Sequence, residues 1–250
     1  MRIVRFQLES EVSFGLVEDQ QVVQLAQFPG ISPEPTGQVF DIKDVTLLAP
    51  VEPSKIVCAG LNYTAHAAEL DQPLPTEPLV FLKPSSAIIA SGETIVIPQQ
   101  SGQVELEVEL AMVVSQTAKN VSVEDAADYI LGYTIANDVT ARDLQFSDLQ
   151  WARSKAFDTF CPLGPWIETD LDFSKQYVES RINGELRQRE GIDNMIFNPL
   201  ELFSYISQNM TLNPQDVILT GSPSGISKIS SGDLVECEIS GIGVLSNPVA

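Results

Sequence analysis

Residues 103–114 read Gln-Val-Glu-Leu-Glu-Val-Glu-Leu-Ala-Met-Val-Val. The strict alternation puts Glu105, Glu107 and Glu109 on one face of a strand and Val104, Leu106, Val108 and Leu110 on the other. Past Glu109 the acidic face continues as Ala111 and Val113, so it passes from polar to apolar within one element. Carboxylates two residues apart on a strand sit roughly 6–7 Å apart, close enough for both to lean onto one cation. A solvated acidic edge is the ordinary explanation of such a strand. Here like charges run toward the core, and a hard divalent ion resolves that conflict. Oxygen-only ligands favour Mg²⁺, Mn²⁺ or Ca²⁺.

A third ligand must come from elsewhere. The segment Leu131-Gly-Tyr-Thr-Ile-Ala-Asn-Asp138 reads as a strand that ends on Asp138, a candidate for that place. Arg142 and Gln145 follow closely and can hold an anionic or carbonyl-bearing ligand. The chain's single histidine, His66, lies three residues before Glu69 and shares a helical face with it. A carboxylate beside an imidazole fixes its tautomer and raises its basicity, which suits activation of a water. A plain surface ion pair is the alternative reading of these two residues.

These groups need elements to hold them. Residues 3–8, 13–17 and 21–25 alternate as short strands, and prolines 29, 33 and 35 mark a loop. Pro50 and Pro53 mark a soft boundary, giving a small N-terminal unit over 1–50 and a larger one over 51–250. Further strands are expected at 56–59, 79–82, 94–97, 103–115, 131–137, 160–167, 177–182, 185–189, 216–220 and 233–239. Asn183-Gly184 is a hairpin turn signal. Helices are expected at 64–70, at 123–130 behind Ser122, and at 199–208 behind Asn198 and Pro199. The pattern is that of a β-rich α+β protein, without the βαβ alternation of a doubly wound fold.

Composition excludes whole classes. The chain has 250 residues, with 34 acidic against 14 basic groups and a net charge of −20. A nucleic-acid partner needs a basic surface, and so does docking on an anionic membrane; neither is expected. One histidine rules out a multi-histidine zinc site. No phosphate loop, dinucleotide fingerprint or nucleophile elbow is present; Gly221-Ser-Pro-Ser-Gly225 has the wrong spacing for the last. Three scattered cysteines, no apolar leader and no long apolar run point to reduced thiols and a cytoplasmic, soluble setting.

Taken together, Gly60-Leu-Asn-Tyr63 with His66 and Glu69, Phe81-Leu-Lys-Pro84, Glu107-Val-Glu109, Asn137-Asp138 through Gln145, Lys155-Ala-Phe-Asp158, Asn183-Gly-Glu185 and Thr220-Gly-Ser-Pro-Ser-Gly225 resemble the fumarylacetoacetate hydrolase family. The matches run in order over about four-fifths of the chain. The resemblance implies a mixed β-sandwich or β-roll catalytic domain, an N-terminal accessory domain and a homodimer. It implies Glu107, Glu109 and Asp138 as ligands of Mg²⁺ or Mn²⁺, with Ca²⁺ an alternative; Glu105 falls outside the motif. It gives His66, Glu69 and Lys155 catalytic places, and Arg142, Gln145, Thr220 and Lys83 substrate-binding ones. The motif departs from the family's Thr at Ser222, which keeps a hydroxyl.

The implied activity is hydrolysis of a carbon–carbon bond in a 2-oxo acid of the acylpyruvate type. Metal polarisation stabilises an enolate, and the His66–Glu69 pair activates water. Oxaloacetate decarboxylation or tautomerisation, and isomerisation or decarboxylation of a dioxo acid from aromatic degradation, are the alternatives within the same site. A non-enzymatic Ca²⁺-binding β module is the remote one, since it leaves Lys155, Arg142 and the His66–Glu69 pair without a role.

Overall fold

The computed structural model describes residues 1–30 and 32–250. Its backbone is a long mixed sheet with two smaller sheets and a few short helices. Twelve strands form the large sheet. From one edge its order is Pro35–Asp41, Gln21–Leu25, Glu11–Glu18, Arg2–Leu8, Cys161–Glu168, Ile130–Asn137, Val108–Val114, Val217–Leu219, Ile56–Gly60 and Leu79–Lys83, with Thr46–Leu47 and Ile88–Ile89 added at the side. A second sheet joins Glu185–Gly191, Tyr177–Ile182, Leu234–Ile239 and Gly243–Pro248. A third, of three strands, joins Thr140–Ala141, Val104–Leu106 and Ser227–Lys228. This is the β-rich α+β architecture expected from the strand count.

The central strand Val108–Val114 is buried along its whole length. Val108, Leu110, Met112 and Val114 pack into the main core beside Val178, Ile239, Leu202, Phe203 and Ile206. Ala111 and Val113 face a second cluster with Ile56, Cys58, Leu163 and Leu219. A strand covered on both faces stops alternating and becomes apolar throughout, as this one does past Glu109.

Differences from expectation have local causes. The strand expected over 103–115 is two strands, Val104–Leu106 and Val108–Val114, in different sheets. The helix expected over 123–130 is a single 3-10 turn, Ala126–Tyr129, although Ser122 Oγ does accept from the Asp125 amide. The β-branched Ile130 begins the strand Ile130–Asn137 of the large sheet, so the helix has no room to continue. Pro35 sits not in a loop but at the start of an edge strand, where its missing N–H is harmless. Residues 94–97 contribute only a bridge from Ile95 to Val249. The strand Gly243–Pro248 and the short helices Arg142–Ser147 and Ala152–Lys155 lie outside the expected set. Helix Pro199–Asn209 is capped as expected, by a reciprocal Asn198–Glu201 box. All three cysteines are buried and free. No helix among the described residues is long and apolar enough to cross a membrane.

Candidate active site

Glu107 occupies the break between the two strands it was expected to unite. Opposite it, the chain leaves strand Ile130–Asn137 at Asp138 and enters Thr140–Ala141. Val108 pairs with Asn137 on one side of this crossing, and Glu105 pairs with Thr140 on the other. The Asp138 amide donates to the Glu107 carbonyl at 2.8 Å, and the Glu107 amide donates to Asn137 Oδ1 at 3.0 Å. Two strands therefore change sheets at the same level. That shared step sets two carboxylates, distant in sequence, side by side.

Glu109, one turn of the pleat further on, is held by the Gly221 amide, 2.5 Å from Oε2. Gly221 has a φ of +97°, and a Cβ there would lie 2.6 Å from the Asn62 Cβ. Glycine thus permits both the left-handed turn and the close approach. One oxygen from each of Glu107, Glu109 and Asp138 lies within 4.8 Å of the others, and all three residues are buried.

Cations surround this cluster. Lys155, at the end of its short helix, reaches Glu107 Oε2 at 2.8 Å and Asp138 Oδ2 at 2.5 Å. Arg142 donates from Nε to Glu105 Oε2 at 2.7 Å, and from its terminal nitrogens to Glu107 and to Gln145. Burial works against ionisation of Glu107, but the Lys155 ammonium and Arg142 guanidinium hold its carboxyl well below the usual range. Burial pushes Glu109 the other way, and the charges of Asp138 and Glu107 add to it, so its carboxyl lies well above that range. Lys155 is raised despite burial, because Asp138 and Glu107 stabilise its charge.

The imidazole lines the same cleft as the carboxylates. His66 Nδ1 is 3.0 Å from Glu69 Oε2, and Glu69 Oε1 accepts from the Gly225 amide at 2.9 Å. The carboxylate is thereby fixed from both ends, and with Nδ1 donating, Nε2 is the basic nitrogen. Asn62 secures this turn: its amide donates to the carbonyls of Phe197 and Thr220, at 2.9 and 2.7 Å, and its oxygen accepts from Phe197 N.

One cleft of about 220 Å³ is lined by His66, Glu107, Glu109, Asp138, Arg142, Gln145 and Lys155. Glu69 stands behind His66. Lys83 and Thr220 are placed otherwise than expected. Lys83 is fully buried behind Asp138, 2.5 Å from its Oδ1 and 3.1 Å from the Val139 carbonyl, so it meets a carboxylate of the protein instead of a substrate. The Thr220 hydroxyl donates to the Leu110 carbonyl at 2.9 Å and faces the strand, not the cleft. Ser222 lines the cleft in its stead, accepting from Gln188 at 2.7 Å. Glu105, outside the expected ligand set, proves to be the partner of Arg142. The cleft is completed by Leu70, Gln72, Leu79, Phe81, Phe146 and Trp151. Sequence reasoning missed these because nothing in their spacing distinguishes them from ordinary loop and edge residues.

The three-carboxylate set fits a divalent cation on its own chemistry. Its donors are all oxygen, it is buried, and Glu109 has no cationic partner among the described residues. A cleft with converging carboxylates, flanking lysine and arginine, and an oriented imidazole has the make-up of an enzyme site for a small anionic molecule.

Comparison with known proteins gives the class a name. Residues 55–250 match the family described as fumarylacetoacetate (FAA) hydrolase, C-terminal, and residues 1–50 match one described as Rv2993c-like, N-terminal. The chain belongs to the fumarylacetoacetate hydrolase family, whose members are enzymes. It is 42% identical over 224 residues to the mitochondrial oxaloacetate tautomerase fahd2 of Xenopus laevis, covering 84% of this chain and 70% of that one. The crystal structure of a 5-carboxymethyl-2-hydroxymuconate delta-isomerase from Mycobacterium smegmatis superposes with a TM-score of 0.95 at 43% identity, covering 100% and 99% of the two chains. A maleylpyruvate hydrolase from Sphingobium sp. SYK-6, solved with manganese (II) and pyruvate, superposes with a TM-score of 0.82 at 27% identity, covering 100% and 99%.

Proposed function

We propose that this protein is a divalent-metal-dependent hydrolase of acylpyruvate-type 2-oxo acids, cleaving the carbon–carbon bond between the acyl group and the pyruvyl unit. The observation that carries this reading is that a buried triad of carboxylates and an oriented His66–Glu69 pair belong to the same cleft. A proton-abstracting base opposite an anion-holding site suits attack by water on a bound acyl group.

In this reading Glu107, Glu109 and Asp138 hold Mg²⁺ or Mn²⁺, which supplies polarisation of the 2-oxo carbonyl. Lys155 and Arg142 balance the charge of the carboxylate head. His66 Nε2 takes a proton from water while the water oxygen bonds to the distal acyl carbon. The carbon–carbon bond then breaks, its electron pair stays with the 2-oxo fragment as an enolate, and a proton returns to that carbon. Glu69 keeps the imidazole oriented and stabilises its charged form. Residues 51–250 act as the catalytic unit and 1–50 as an accessory one, in a cytoplasmic homodimer.

Oxaloacetate tautomerisation is a second reading, favoured by the 42%-identical relative that bears that name. It needs an enolate and a proton shuttle at the same residues but no attacking water. Turnover of acetylpyruvate and oxaloacetate, each with Mg²⁺, with Mn²⁺ and with EDTA, separates the two. Metal-dependent release of acetate and pyruvate, lost in His66→Ala, is expected. Oxaloacetate conversion without any acetylpyruvate cleavage would sink the hydrolase reading.

A further inference from the structure

Gln188 is fully buried on a strand, Glu185–Gly191, whose other side chains are exposed or half-buried. Its Oε1 accepts from the Val108 amide at 3.1 Å and from the Ser180 hydroxyl at 2.9 Å. Its Nε2 donates to Ser222 Oγ and to the Pro223 carbonyl, each at 2.7 Å. A backbone N–H at one end and a backbone carbonyl at the other fix which way the amide points. Both donors and both acceptor positions are in use, so the side chain is held against rotation.

Each end of that amide touches the site at one remove. Val108 lies between Glu107 and Glu109; the strand Val217–Leu219 pairs with Ala111, Met112 and Val113 and stops short of it, and the Val108 amide takes the Gln188 oxygen. At the other end, residues 221–225 form a loop gripped at three points. The Gly221 amide donates to Glu109, Gln188 holds Ser222 and Pro223, and the Gly225 amide donates to Glu69. The loop lies directly on the strand that bears Gln188: a Cβ on Gly225 would be 2.1 Å from the Arg187 carbonyl oxygen. One end of the loop therefore sets a carboxylate of the buried triad, and the other sets the carboxylate that orients His66. Among the described residues, neither His66 nor Glu69 hydrogen-bonds to Glu107, Glu109 or Asp138, so this loop is the polar link between the two halves.

We infer that Gln188 is a positioning residue that couples the carboxylate triad to the His66–Glu69 pair through loop 221–225, so that loosening it disturbs metal affinity and imidazole orientation together. This rests on the places given to the metal and the base in the reading above. Gln188→Met keeps the length of the side chain and removes all four hydrogen bonds. In the full chain it is expected to lower Mn²⁺ affinity roughly tenfold or more, read by calorimetric titration. His66 is the chain's one histidine, so its imidazole nitrogen NMR signals are unambiguous and give the share of the Nδ1–H tautomer that Glu69 selects. That share is expected to fall in the metal-free variant. Ser207→Ala is the control: its hydroxyl is equally buried and accepts from the Val121 amide at 2.9 Å, on the helix Pro199–Asn209. It is expected to lose stability and to leave both readouts where they are. Should Gln188→Met fail to fold, Ser180→Ala, which removes one of its bonds, is expected to move both readouts the same way by less. No change in Mn²⁺ affinity, no change in the tautomer share, or equal changes in Ser207→Ala overturns the inference. Acetylpyruvate turnover is measured in parallel. If the unaltered protein does not cleave it while both readouts move in Gln188→Met, the hydrolase reading falls and the coupling stands.

Discussion

The ammonium of Lys83 lies 2.5 Å from Oδ1 of Asp138, on the side of the carboxylate away from the cleft. Lys155 meets the other oxygen at 2.5 Å, so two buried cations hold Asp138 in a fixed plane. The pair Lys83–Asp138 is less than 2% exposed on either side chain, so each group is met by the other instead of by solvent.

Lys83→Met keeps the length of the side chain and removes its charge. It leaves the Asp138 carboxylate short of one partner, and breaking a buried pair from one side is destabilising by about 3–5 kcal/mol. Denaturant unfolding with EDTA present measures this loss. A substrate-binding role for Lys83 would instead raise KM and leave unfolding unchanged.

Glu109 and Glu107 give opposite dependences on pH. The Glu109 carboxyl is raised in the folded protein, so its contribution is fully present below the ordinary carboxyl value of 4.5 and is lost as pH rises through the raised one. That of Glu107 is lowered, so its contribution holds above 4.5 and is lost only as pH falls through the lowered value. Metal-free protein is therefore expected to lose stability as pH rises above 4.5 toward the raised Glu109 value. Glu109→Gln should flatten the slope, as should Mn²⁺, which favours the ionised carboxylate. An unchanged slope in both cases contradicts the assignment.

Gly221→Ala brings a methyl group to 2.6 Å from the Asn62 Cβ in a left-handed backbone. The expected destabilisation is roughly 1–3 kcal/mol. Because the Gly221 amide is the donor to Glu109, Mn²⁺ affinity should fall along with stability. Thermal unfolding and metal titration of the variant are read together, and a stability loss with unaltered metal affinity would separate the turn from the site.

Removing the base should cost more than removing its orienter. His66→Ala is expected to lower acylpyruvate cleavage by roughly 100- to 10,000-fold. Glu69→Gln, which keeps a hydrogen-bond acceptor for Nδ1, should show a smaller loss and a shifted pH profile of kcat. Equal rates in the wild type and His66→Ala would remove the imidazole from the mechanism.

By itself the sequence determined which groups are available. The alternation through Glu105, Glu107 and Glu109, the spacing of His66 and Glu69, and the strand ending on Asp138 are local patterns, and a periodicity of two or an i,i+3 pair can be read without any long-range contact. The capped helix behind Asn198 is legible for the same reason.

The tertiary structure decided what each group faces. A single strand alternating without a break would have set Glu105, Glu107 and Glu109 in one row. The exchange of sheets at Glu107 and Asp138 instead gives Glu105 to Arg142 and draws Asp138 in beside Glu107 and Glu109. Lys83 and Lys155 carry the same charge on the same kind of side chain, yet they meet different oxygens of Asp138, and of the two only Lys155, borne by a short helix and not by the edge strand, lines the cleft. The apolar part of the cleft joins Phe81, from an edge strand, to Trp151, which precedes a short helix, through an edge-to-face contact that no spacing along the chain encodes.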